Sequence, residues 1–179
     1  HEALLALARI DAETGQPEAG IALLRERVDA PHPPVEVIAA LAEALSQNDD
    51  PDAAQGLFDR ELAQAEDGAL PLRIAYGVYL ARHNRASEAQ TQLRQLAAQY
   101  PHAADPTDAL VAVLVDDQRY ADAVTVLRQW VKDNGATANR LYEMAGYEHA
   151  AGAVDDSIET RQQVLDRRPD EADRVHVLD

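Results

Sequence analysis

Five stretches of this chain open alike and return at an almost fixed interval: GQPEAGIALLRERV (15–28), DDPDAAQGLFDREL (49–62), NRASEAQTQLRQLA (84–97), QRYADAVTVLRQWV (118–131) and GAVDDSIETRQQVL (152–165). Their starts are separated by 34, 35, 34 and 34 residues. A small residue stands five places into each: Gly20, Ala54, Ala89, Ala123 and Ser157. Four further on come Leu24, Phe58, Leu93, Leu127 and Arg161, and four beyond those Val28, Leu62, Ala97, Val131 and Leu165. Residues at i, i+4 and i+8 share one face of an α-helix. A helix with a turn-prone start therefore recurs five times.

A second apolar stripe precedes each of these helices. It reads Leu4, Leu7, Ala8; Ile38, Leu41, Ala42, Leu45; Tyr76, Gly77, Leu80; Leu110, Val111, Leu114; and Leu141, Met144, Ala145. The unit is helix, short turn, helix. The small residues let paired helices approach, and the large ones fill the grooves between them. Neither helix buries its stripe alone, so adjacent units must stack to make a continuous core.

These residues resemble the tetratricopeptide repeat family over about residues 2–169, with YADAV (120–124) and SEAQ (87–90) nearest its consensus and Pro101 and Pro169 where its second helix often closes. The resemblance implies an all-α, right-handed superhelical solenoid whose concave groove is lined by the first helix of each repeat. The repeats fall at about 1–34, 35–69, 70–103, 104–137 and 138–171. Residues 172–179 read as the start of a further helix or a cap. With His1 first in place of Met, the whole reads as a single array cut from a longer protein. Several residues depart from the family pattern. Asp11 and Glu148 fill slots that are usually apolar, Arg73 and Thr107 stand where a large apolar residue is common, and Arg161 replaces an aromatic. AEDGALP (65–71) lengthens one junction by a residue, where a change of pitch is expected, and DAPHPPVE (29–36) is a Pro-rich junction.

Composition limits the chemistry. There is no Cys, which removes disulfides, thiolate ligands and Cys nucleophiles. The formal net charge is −16, spread evenly along the chain, and the one lysine is Lys132. Neutralisation of phosphates on nucleic acid or anionic lipid is therefore not expected, whereas a basic protein partner is compatible with the charge. No apolar run is long enough to span a bilayer. The six histidines His1, His32, His83, His102, His149 and His176 form no metal-ligand spacing, and His32, His83 and His102 fall at helix ends where exposure is ordinary. Carboxylate pairs such as Asp116–Asp117 and Asp155–Asp156 flank predicted turns, where capping explains them. No nucleophile elbow, phosphate loop or dinucleotide fingerprint occurs. No catalysis, metal or cofactor is expected of this segment. Trp130, on the second helix of repeat four beside Met144, reads as core with an exposed anchor as the alternative; Tyr76, Tyr79 and Tyr147 read as structural.

The groove remains. Removing the core stripe from each first helix leaves Leu5, Arg9 and Glu13; Ala39, Glu43 and Gln47; Ile74, Val78 and Arg82; Asp108, Ala112 and Val115; and Tyr142, Gly146 and His149. Ile74, Val78, Ala112, Val115 and Tyr142 make its expected centre apolar, as a peptide or helix site requires; cover by the array itself is the bland alternative. Arg9 and Arg82 are placed to meet a partner's carboxylate or an intrachain Glu. Family members that grip the carboxyl tails of chaperones use Lys and Asn on consecutive first helices; Leu5, Arg9, Ala40, Pro71 and Ala75 stand there instead, so that clamp is not expected. The expected function is a non-catalytic adaptor that holds a protein or peptide partner. The Ala- and Arg-rich, Lys-poor composition suggests a bacterial chain, and the resemblance points to the periplasmic side of the envelope, as an adaptor lipoprotein or part of secretion or exopolysaccharide-export machinery. The alternatives are the repeat region of an enzyme whose catalytic domain lies outside this segment, and a module that self-associates through its end repeats.

Overall fold

The left-handed turn residues set the architecture. Gly15, Asp49, Asn84, Gln118 and Gly152 all have positive φ, between 59° and 82°. They recur at the repeat interval, and each is the opening residue of a repeated stretch. The amide after each one closes onto a carbonyl five residues back: Gln16 onto Asp11, Asp50 onto Leu45, Arg85 onto Leu80, Arg119 onto Leu114 and Ala153 onto Glu148. This is the six-to-one bond of a Schellman stop, which needs a left-handed residue and reverses the chain within a few residues. Gly, Asp and Asn adopt that conformation at little cost. The turn-prone opening pairs of the sequence are thus the helix stops.

The computed structural model describes residues 2–65 and 69–166. Among these it has ten helices and no strand: α1 (Glu2–Glu13), α2 (Pro17–Val28), α3 (Val35–Gln47), α4 (Pro51–Gln64), α5 (Leu70–Arg82), α6 (Ala86–Gln99), α7 (Ala104–Asp116), α8 (Tyr120–Asn134), α9 (Ala138–Ala150) and α10 (Val154–Asp166). Pro stands in the first turn of α2, α4 and α5, where its missing N–H costs nothing. Asp50 and Thr137 cap α4 and α9 by accepting from the amides of Ala53 and Arg140 at 3.1 and 3.3 Å. The expected changes at residues 66–68 of the AEDGALP junction and over 172–179 lie outside the described residues.

The chain divides into two units, residues 1–85 and 86–179. In the first, α1 packs on α2, α3 on α4, and α3 also meets α2 and α5. Its core holds Leu24, Ile38, Leu41, Phe58 and Leu80. The rings of Tyr76 and Tyr79 lie 5.0 and 5.1 Å from that of Phe58. Gly20 lies on α2 where it meets α1; a Cβ there would stand 2.9 Å from the Ala8 carbonyl oxygen. In the second unit each helix packs on the next, α6 through α10, around Leu93, Leu110, Leu114, Leu127 and Leu141.

The stripes fall as expected with three corrections. Leu4 is half-buried and Leu7 exposed, because no helix covers that side of α1 among the described residues. Of the third members of the second-helix stripes only Val28 is buried, while Leu96 and Val164 are buried beside half-buried Ala97 and Leu165. Steps of four overshoot the 3.6-residue turn by about 40° each, so the buried line slips back to i+7. Trp130 is half-buried and so is neither a full core residue nor a free anchor; the Arg140 guanidinium lies 4.7 Å from its ring centroid.

The departures from pattern have local answers. Arg73 is exposed and Thr107 is buried. Glu148 is 1% exposed, in the register that Leu45, Leu80 and Leu114 fill elsewhere. Its Oε1 accepts from Arg128 Nη2 at 2.8 Å, and the same nitrogen donates to Asp156 Oδ2 at 2.8 Å. These two hydrogen bonds raise the Arg128 pKa above its ordinary value. Ser157, in the small-residue slot, donates to the Ala145 carbonyl at 2.9 Å, which satisfies its buried hydroxyl.

Candidate partner interface

The first helix of each repeat carries the expected site residues. On the first unit, Leu5 of α1, Ala39 and Glu43 of α3, and Ile74 and Val78 of α5 are half-buried, while Arg9 and Arg82 are exposed. The helices that bear them pack in the order α1, α3, α5. Arg9 lies 3.7 Å from Glu13, one turn on, with both side chains largely exposed; such a pair is worth little in water. Glu43 is more committed. It accepts from Gln47 Nε2 and lies against His83 Nε2, each at 3.1 Å. His83 ends α5 with its ring 4.4 Å from that of Tyr79, whose hydroxyl is 2.7 Å from Ser46 Oγ. The sequence places His83 at an exposed helix end. The structure instead uses it to tie α5 to α3, half-buried.

On the second unit, Asp105, Asp108, Ala112, Val115 and Asp116 lie along one face of α7 by their i+3 and i+4 spacing, and Asn139, Tyr142, Gly146 and His149 do so on α9. Ala112 is exposed, Val115 half-buried and Tyr142 44% exposed. An added Cβ on Gly146 would meet no atom within 4 Å, so the surface beside Tyr142 stays open. Arg140 joins the two helices. It forms ion pairs with Asp108 of α7 and, at 2.9 Å, with Glu143 of α9. Burial pulls its pKa down, but the bonds to Glu143 and Asp108 outweigh this and leave it raised. Burial, with the nearby charge of Glu143, also raises Tyr147 above the ordinary tyrosine range.

The second helices offer two clefts that the sequence did not suggest. One, of about 370 Å³, lies between α2 and α4 over Leu41 and Leu45, walled by Arg25 and Arg60. The other, of about 440 Å³, lies between α6 and α8 over Leu110, beside Trp130. Neither gathers catalytic groups. Among the described residues no group of His, Asp and Glu converges to hold a metal, and no helix is long and apolar enough to cross a membrane.

Solved structures share this arrangement. A putative kinesin light chain from Podospora anserina with nearly identical tetratricopeptide-like repeats superposes with a TM-score of 0.60 at 18% identity, covering 92% of each chain. YrrB, described as a tetratricopeptide protein with an unusual peptide-binding site, gives 0.53 at 12% identity over 97% of this chain and 89% of its own. This chain has the tetratricopeptide-repeat fold. MamA from Desulfovibrio magneticus RS-1 has a similar fold, with a TM-score of 0.54 at 15% identity over 92% of this chain and 93% of its own. No protein-family model and no curated protein matches the sequence. A tetratricopeptide fold serves many partners, so function must be argued from the surface.

Proposed function

We propose that this chain is an interaction scaffold with no catalysis of its own, a single array of five repeats that holds a segment of a protein partner on its first-helix faces. The residues that carry the contact are Leu5, Arg9, Ile74, Val78 and Arg82 on the first unit and Ala112, Val115 and Tyr142 on the second. One observation carries the reading. Leu5, Ile74, Val78, Val115 and Tyr142 on these faces remain partly open, whereas the core residues of α5, α7 and α9 are buried. Surface of that kind is where extended peptides and amphipathic helices gain affinity. The unusual peptide-binding site of YrrB, which shares this fold, is consistent with it. A setting in a bacterial envelope complex belongs to the same reading; the bacterial origin rests on composition and the envelope on the family resemblance.

The test is affinity capture from lysate, comparing the wild type with a Val78→Glu/Val115→Glu variant whose fold is checked by circular dichroism. The reading expects a protein retained by the wild type and lost by the folded variant. Equal retention by both would move the contact to the second helices.

A second reading has its own observation. Leu7 and Ile10 on α1, and Val154 and Ile158 on α10, are exposed. The residues in the register of Leu7 on the other first helices, namely Leu41, Tyr76, Leu110 and Met144, are all buried. Self-association through the end repeats would cover these faces. Sedimentation across a concentration range separates the readings, since the scaffold alone predicts a constant molecular mass.

A further inference from the structure

Arg25 and Arg128 stand at one place in their repeats, ten residues after the left-handed Gly15 and Gln118. At the later joint the chain itself supplies the arginine's partners. Arg128 donates to Glu148 and to Asp156, each at 2.8 Å. These carboxylates stand four residues before and four after Gly152. The same two places around Asp49 hold Leu45 and Ala53, so the joint that follows Arg25 lacks both. Arg25 has no hydrogen bond or ion pair among the described residues. It lines the cleft of about 370 Å³ between α2 and α4, with Leu45 and Ala53 also on the lining. From the α4 wall comes Arg60, which is shared with Asp29 at 3.5 Å and Glu61 at 2.9 Å. The charged side chains of the lining are thus Arg25, Arg60 and Asp29, which leaves the cleft positive in a chain of net charge −16. A Cβ on Gly56 would meet no atom within 4 Å, so that wall leaves room for an incoming chain.

We infer that this cleft takes an Asp or Glu from an acidic segment of a protein partner, whose carboxylate accepts from Arg25 as Glu148 and Asp156 accept from Arg128. It is a second site, apart from the first-helix faces. The later joint shows that an arginine in this register reaches carboxylates at the places of Leu45 and Ala53. Buried Leu41, Leu45 and Leu57 line the cleft, and apolar surroundings strengthen a charge-assisted bond. The net charge of −16 repels an acidic segment at long range. At about 150 mM salt that repulsion is screened within about 8 Å, so the local contact decides.

The test titrates the full chain, at about 150 mM salt, with short synthetic peptides of alternating Glu-Leu or Gln-Leu and blocked ends, read by calorimetry. The Glu-Leu peptide is expected to bind about 5-fold or more tighter than its neutral counterpart. Arg25→Gln should weaken it about 3- to 10-fold. Arg73→Gln, the same charge change on exposed Arg73 of α5, should leave it nearly unchanged. Ala53→Asp restores the carboxylate found at Asp156, in the first turn of α4 where an acidic residue suits the helix dipole. It should occupy Arg25 from within and weaken the peptide about as much as Arg25→Gln, whereas Gln95→Asp, on the exposed side of α6, should not. Circular dichroism checks that each variant is folded. Affinity unchanged in Arg25→Gln or in Ala53→Asp, or lowered as much by their controls, overturns the inference. Equal binding of the two peptides, or no binding of the Glu-Leu peptide, overturns it as well. Loss of the first-helix contact in the Val78→Glu/Val115→Glu variant bears on the other site alone.

Discussion

Removing the Arg128 guanidinium should be among the most damaging single changes to the second unit. Glu148 sits in a leucine register with its carboxylate 1% exposed, and its Oε2 has no hydrogen-bond partner. The charge is held in place by one contact, the 2.8 Å bond from Arg128. Removing one partner of a fully buried ion pair costs about 3–5 kcal/mol, because the remaining charge is stranded. The Arg128 side chain is 52% exposed, so water entering its place will recover part of that. For Arg128→Met, which keeps the aliphatic stem, we expect a loss of about 2–3 kcal/mol. Glu148→Leu acts the other way. It removes the buried charge and restores the residue type of the other repeats, while Arg128 keeps Asp156, so stability should hold or rise by about 1 kcal/mol. In the Glu148→Leu background, Arg128→Met should cost less than about 1 kcal/mol, because only a surface pair is lost. The coupling from this cycle is therefore about 1–3 kcal/mol. Urea unfolding at pH 7 followed by the fluorescence of Trp130, which lies on α8 with Arg128, reads this unit directly. A loss below about 0.5 kcal/mol for Arg128→Met, or a loss above about 1 kcal/mol for Glu148→Leu, would refute the account of Glu148 as a compensated intruder in an apolar slot.

Three further outcomes are expected. Gln118 holds the left-handed conformation that Gly15 and Gly152 adopt freely, so Gln118→Gly should raise stability by about 0.5 kcal/mol, seen as a higher thermal midpoint. A Cβ on Gly20 would press on the backbone of Ala8, whereas one on Gly56 meets nothing; Gly20→Ala should cost about 1 kcal/mol and Gly56→Ala gain about 0.5–1 kcal/mol by chemical denaturation. Tyr147 is held neutral by burial and by Glu143, so its contribution is complete below pH 10.0, the ordinary tyrosine value, and is lost as pH rises through its raised folded value. The stability of Tyr147→Phe, measured from pH 8 to 11, should fall less steeply than that of the wild type.

The fold was legible because its signals repeat. A stop signal, a small residue and a large residue recur at one interval, and each copy supports the reading of the others. The left-handed residues were visible only as turn-prone pairs, yet they are what fixes the register. Gln118 gives the least sign of this, since Gln is no turn former. Subtraction from the core stripe defines the candidate faces; of the residues so chosen, Ile74, Val78 and Val115 are half-buried and Tyr142 is exposed. Their electrostatics were not legible. Glu43 meets His83, Arg140 meets Asp108 and Arg128 meets Glu148 across 20 to 40 residues, and these pairs do not recur with the repeat. Which charges remain available to a partner depends on such contacts, and one-dimensional periodicity does not encode them. The exposure of Leu7 was missed for a related reason: the stripe shows that a residue is apolar, and only the neighbouring helix decides whether it is covered.

The most direct test places a photo-crosslinking phenylalanine derivative at one site at a time and maps adducts to the captured partner. Val78, Val115 and Tyr142 sample the first-helix faces; Gln95 on α6 and Gln129 on α8 sample exposed second-helix positions. The scaffold reading predicts adducts from the first three positions and none from the last two. Adducts confined to Gln95 and Gln129 would contradict it and place the partner on the second helices.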